Sequence, residues 1–124
     1  MKPTEQTLPG SDCKRLRTII DRVGDKWSVY VVMTLKGGAM RFNEIRRSIE
    51  GVSQRMLTLT LRDLERDGLI TRTVYPTKPP SVEYALTIVG TTLVAPAMTL
   101  IAWAETNYAT VEQSRRQYDE KAAR

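Results

Sequence analysis

Apolar side chains recur along this chain in two rhythms, and the switches between them mark out its elements. Cys13, Leu16, Ile20 and Val23 are three or four residues apart, the interval that keeps side chains on one face of an α-helix. Ser11 or Asp12 is placed to cap this first helix and Gly24 to stop it. Asp25 is the expected cap of a second helix, in which Trp27, Tyr30, Val31 and Leu35 form one stripe before Gly37 and Gly38. A short extended piece at 39–41 leads into a third helix with Phe42, Ile45 and Ile49 facing inward, and 50–52 reads as a tight turn.

The fourth helix carries the strongest local signals. Ser53 is a good N-cap, and Val52 and Leu57 stand at the two positions of a hydrophobic staple. Leu57, Leu61 and Leu64 form the predicted buried seam, and Gly68 stands where a helix-ending glycine belongs. The rhythm then changes. Residues 69–75 and 82–86 read as strands, with Val82, Tyr84 and Leu86 alternating against Glu83 and Ala85. Between them Pro76, Pro79 and Pro80 cannot donate to a sheet ladder, which predicts a stiff projecting loop. Helical spacing returns after Leu86, Pro96 is expected to kink that helix or begin a second segment, and a last polar stretch over 110–124 predicts a surface helix that frays.

The resulting order is helix, helix, short strand, helix, turn, helix, strand, loop, strand, helix, helix. This predicts a mainly α, α+β fold: a winged helix-turn-helix with helical extensions. Residues 1–10 read as a short solvated arm, without the apolar run of a secretory signal, and 11–124 as a single domain. Within it the recognition helix is expected at about 53–67 and the wing at about 69–86.

Composition narrows the chemistry. With no histidine and one cysteine the chain cannot assemble a His/Cys zinc site, a Ser-His pair or a Cys-His pair. No metal, cofactor or catalytic residue is therefore expected, and the lone cysteine suits a reducing, cytoplasmic setting. Nineteen Lys and Arg against fourteen Asp and Glu give a net charge of +5, which favours a polyanionic partner. Residues 84–104 carry no charged side chain, a run about as long as a membrane span. Thr87, Gly90, Thr91, Thr92, Pro96 and Thr99 interrupt it. The preferred expectation is therefore no membrane, but a helix buried on most sides, in the core or against a second copy of the chain.

The polar residues left outside the third and fourth helices point to double-stranded DNA. In helix-turn-helix proteins the first turn of the second helix meets base edges in the major groove. Here that turn offers Ser53, Gln54, Arg55 and Thr58, with Arg62 one turn on. Gln can bond adenine bidentately, Arg guanine, and Ser or Thr either base or phosphate. Arg41, Asn43 and Arg46 lie on the approach to this helix, and Lys78 in the proline-braced loop is placed to reach a backbone or minor groove. The plain alternative is that these cations form a solvated face.

The motifs themselves resemble a known family. Val23-Gly24-Asp25-Lys26-Trp27 following Cys13, Arg41-Phe42-Asn43-Glu44-Ile45 and Val52-Ser53-Gln54-Arg55-Met56-Leu57 are similar to HxlR-type winged-helix transcriptional regulators of the MarR-like group. So are Leu64-Glu65-Arg66-Asp67-Gly68-Leu69-Ile70, Tyr84-Ala85-Leu86-Thr87-Ile88-Val89-Gly90 and Arg115-Arg116-Gln117-Tyr118-Asp119. The resemblance implies a homodimeric DNA-binding repressor or activator that dimerises through its first and C-terminal helices, here about 11–23 and 88–120. It also implies, for members that respond to an electrophile or oxidant, that the cysteine at the position of Cys13 is the sensor. Lys14 departs from the proline common after that cysteine.

The residues offer two readings of Cys13. A helix N-terminus and the nearby Lys14, Arg15 and Arg17 favour the reactive thiolate, whereas its register with Leu16, Ile20 and Val23 suits a small buried side chain. Leu16 and Ile20, with Leu93, Met98, Ile101 and Trp103, provide more apolar surface than a small winged helix needs and predict a two-fold dimer. Two alternatives stand beside a DNA-binding regulator. One is a winged-helix protein-interaction module without DNA binding; the other is a thiol-based redox enzyme, which has no second cysteine or histidine to assist it.

Overall fold

The computed structural model describes residues 10–123, with side chains from Cys13 onward. Residues 1–9 of the expected arm lie outside the described residues, and Gly10 already belongs to the first helix. Helix α1 spans Gly10–Val23. It already includes Ser11 and Asp12, so the expectation that one of them caps it is corrected: the helix starts earlier in the chain. Helix α2, Lys26–Leu35, begins where Asp25 accepts hydrogen bonds from the amides of Trp27 and Ser28. Its stripe also needs correcting. Val31, Leu35, Ser28, Val29 and Val32 are buried, whereas Tyr30 is exposed and meets Trp27 edge to face. α2 packs against α1, α3, α4 and the C-terminal helix, so neighbours on several sides bury more of it than one stripe predicts.

Strand β1 (Met40–Arg41) leads directly into α3 (Phe42–Ser48), where the Glu44 carboxylate accepts the Arg41 amide at 2.8 Å. Ile45 and Ile49 are buried, and Phe42 packs on the edge of the core. Gly51, at φ 85°, makes the turn that a side chain would strain. Helix α4 (Gln54–Arg66) follows, with Ser53 as its N-cap and Val52, Leu57, Leu61 and Leu64 all buried. It ends in a Schellman arrangement. Leu69 N–H donates to Leu64 O at 2.9 Å and Gly68 N–H to Glu65 O at 3.0 Å, with Gly68 at φ 76°.

Strands β2 (Ile70–Tyr75) and β3 (Ser81–Leu86) pair antiparallel, Ile70 opposite Leu86 and Tyr75 opposite Ser81. β1 adds to the other edge of β3, Met40 opposite Tyr84, in the order β1-β3-β2. The expected in–out alternation of β3 is replaced by even, half-buried exposure along the whole strand. β3 is the central strand, paired along its whole length by β2 and at Glu83 and Tyr84 by β1.

Beyond the sheet, Thr87 caps α5 (Ile88–Thr92) by accepting the Gly90 amide, and its hydroxyl donates to Gly68 O at 2.7 Å. Gly90 lies against the backbone of Leu69 so closely that any Cβ there would collide with it. Helix α6 runs Val94–Ala122, with Pro96 in its first turn, where no amide donor is needed. The expected separate helix over 110–124 is thus the continuation of α6. No glycine or proline interrupts the chain between Ala97 and Ala122. Along α6 only Ala97 is buried, so the expectation that this chain's own core covers the uncharged stretch is also corrected. By length and composition alone Ile88–Ala122 could span a membrane.

Candidate nucleic-acid interface

The buried seam of α4 decides which side chains it presents outward. At about 100° per residue, Gln54, Arg55, Thr58 and Arg62 fall within one sector, beside the sector of Leu57, Thr60, Leu61 and Leu64. The first four are exposed and the second four buried. The Ser53 hydroxyl oxygen accepts the Met56 amide at 3.0 Å, and the Thr58 hydroxyl donates to Gln54 O at 2.9 Å. Both hydroxyls are thereby held at the helix start, beside the amides that make it an anion-favouring end. Among the described residues the ion pairs made from α4 involve Asp63, Arg66 and Asp67, and none involves Arg55 or Arg62.

A second set of candidates gathers where the wing approaches α3. Arg41, Asn43 and Arg47 line one wall of an open cleft of about 730 Å³, and Thr77, Lys78, Pro79 and Ser81 line the other. The loop between β2 and β3 is braced by the Thr77 hydroxyl donating to Pro79 O at 2.7 Å. The Ser81 hydroxyl is buried and has no hydrogen-bond partner among the described residues. A smaller groove of about 370 Å³ shares Asn43 and Arg47 with the cleft, adds Arg46, and continues along 49–52 to the start of α4. Arg41, Asn43, Arg46 and Lys78 thus share a continuous set of grooves, while Ser53, Gln54, Arg55, Thr58 and Arg62 form the adjoining helix face.

Local sequence signals do not mark two members of this surface. Arg47 is one more arginine of the third helix, and its place beside Lys78 depends on how β1 pairs with β3. Ser81 falls in the proline-rich loop by sequence, and no local pattern marks its hydroxyl as unpartnered. Away from this surface Cys13 is half-buried on α1, with a free thiol. Leu16, Ile20, Met98 and Trp103 are exposed, and Leu93 and Ile101 are half-buried.

A core built from α2, α3 and α4, with one face of α4 turned outward beside a β-hairpin wing, defines a winged helix-turn-helix protein, the architecture of a class of transcriptional regulators. The comparisons give the family. The model of the HxlR-like helix-turn-helix family matches residues 22–112, and the chain belongs to that family. It is a transcriptional regulator of the helix-turn-helix type. The chain is similar to a regulator of this type from Methanothermobacter thermautotrophicus, 49% identical over 84 residues, covering 68% of this chain and 64% of that protein. It is also similar to the Bacillus subtilis regulator YybR, 37% identical over 115 residues, covering 93% of this chain and 92% of YybR. Among solved structures, that of the redox regulator HypR in its reduced form superposes with a TM-score of 0.73 at 40% identity, over 80% of this chain and 98% of that one.

Proposed function

We propose that the protein is a homodimeric, sequence-specific DNA-binding regulator of the cytoplasm that reads a roughly palindromic operator through α4. The observation that carries this reading is the outward turn of Gln54, Arg55, Thr58 and Arg62 above a fully buried leucine seam. Gln54 and Arg55 read bases, Ser53, Thr58 and Arg62 contact base or phosphate, and Arg41, Asn43, Arg46 and Lys78 hold the flanking backbone. The exposed apolar residues of α1, α5 and α6 are the dimer surface. A second copy covers them better than a lipid bilayer would, because Glu105, Glu112, Arg115 and Arg116 follow on the same helix.

Cys13 is the candidate sensor of an oxidant or small electrophile. Its half-exposed thiol on α1, in a chain similar to a redox regulator, favours this role. Oxidation there would alter how the two copies meet and so how far apart the two α4 helices stand.

Fluorescence anisotropy with a mixed-sequence duplex over a salt series tests the DNA reading. Affinity is expected to fall steeply with salt as phosphate contacts release counterions. A chain indifferent to duplex at low ionic strength would instead favour a protein-interaction module.

A further inference from the structure

Helix α4 ends with a feature that its reading face does not explain. Asp63 lies in its last turn and Asp67 is its C-cap, where carboxylates face the negative end of the helix dipole. Both are gripped by one side chain from the far end of another helix. Arg22, in the last turn of α1, donates through Nε to Asp67 Oδ2 at 2.7 Å and through a terminal guanidinium nitrogen to Asp63 Oδ2 at 3.1 Å. One cation therefore bridges two carboxylates, and it sits beside the carboxyl ends of both helices. Its guanidinium is held above its already high ordinary pKa, chiefly by the hydrogen bond to Asp67 and against some desolvation.

The surroundings of this bridge matter as much as its geometry. Ile19, Val23, Leu69, Val89 and Leu93 line a cavity of about 280 Å³ beside Arg22 and Asp67. No described residue of α1 belongs to the buried core, so among the described residues the bridge, rather than a shared buried seam, ties α1 to the end of α4. Asp63 and Asp67 lie on the flank of α4 turned away from Gln54, Thr58 and Arg62, so the bridge leaves the reading face open.

We propose that Arg22 is a positioning residue: by bridging α1 to Asp63 and Asp67 it fixes the angle of α4 against the dimerising helix, and so selects the half-site spacing that the dimer accepts. This rests on the dimeric DNA-binding reading above. The leverage is geometric. A helix of this length is roughly 20 Å long, so a tilt of about 5° about its C-terminal end moves its first turn by about 2 Å. That is a large part of one base-pair step.

The test uses the full chain and duplexes carrying two copies of the selected half-site at separations around 10 base pairs, with a single half-site duplex as control. Wild type is expected to prefer one separation. Arg22→Ala and, independently, Asp67→Asn are expected to flatten that preference by about threefold to tenfold, the range of coupling within a small charge network. Affinity for the single half-site should stay within about twofold, inside the additivity error of distant sites. Arg22→Lys, which keeps the charge but loses the fork, should fall between. The exchange Arg22→Asp with Asp67→Arg should recover part of the preference. A folded Arg22→Ala or Asp67→Asn protein with the wild-type spacing profile would overturn the proposal and leave DNA binding standing. So would equal losses on single and paired half-sites, which mark a structural role alone. A wild-type chain that binds no duplex would overturn the function reading itself.

Discussion

The Ser53 hydroxyl oxygen accepts the Met56 amide at 3.0 Å, so the residue that opens the reading helix is engaged in holding that helix together. Its hydroxyl proton and one lone pair remain to be offered to DNA. Ser53→Ala is therefore expected to act first on stability, at about 1 kcal/mol, seen as a melting temperature lower by a few degrees. Ser53→Asp, which keeps the cap, should restore the melting temperature while weakening duplex binding through its charge.

Gln54 and Arg55 stand exposed on the first turn of α4, which the proposed function assigns to base edges. Gln54→Ala and Arg55→Ala should each reduce operator affinity far more than random-duplex affinity, by about 1–3 kcal/mol of discrimination. Competition titrations measure both. Equal losses on the two duplexes would reassign these residues to phosphate.

Lys78 faces Arg41 and Arg47 across the wing cleft, so Lys78→Ala should weaken binding on every sequence alike. The slope of log affinity against log salt should fall by about one. Arg47→Ala should do the same, and an unchanged slope in both would remove the cleft from the interface.

Trp103 is 60% exposed on α6 and Met98 50%, a costly arrangement for a lone chain. Trp103→Glu should convert the dimer to a monomer in sedimentation velocity. Operator affinity should then fall sharply, because two half-sites are no longer engaged together.

Cys13→Ser should abolish any change in DNA binding on treatment with diamide or a quinone while leaving untreated binding intact. A mutant that still responds would end the sensor role.

Much of this site was readable because its signals are local. The cap at Ser53, the staple of Val52 with Leu57 and the glycine stop at Gly68 each depend on residues a few positions apart, and the structure has all three. What the sequence concealed is set by distant partners. Tyr30 has the spacing of a seam residue, yet it is exposed, whereas Ser28, Val29 and Val32 are buried against neighbours that periodicity cannot count. Arg22 and Asp67 are 45 positions apart and carry no shared pattern. The unbroken course of α6 follows from the lack of a glycine or proline after Ala97, but the polar, charged composition from Thr110 onward reads as a separate surface helix.

Selection of bound duplexes from a random pool probes the central claim most directly, namely that the turn after Ser53 reads bases in a paired arrangement. The account predicts enrichment of one inverted repeat with half-sites about one helical turn apart, and loss of the preferred base at one position of each half-site in Arg55→Ala. A pool that emerges with no shared sequence, or a repeat that survives unchanged in Arg55→Ala and Gln54→Ala alike, would contradict it.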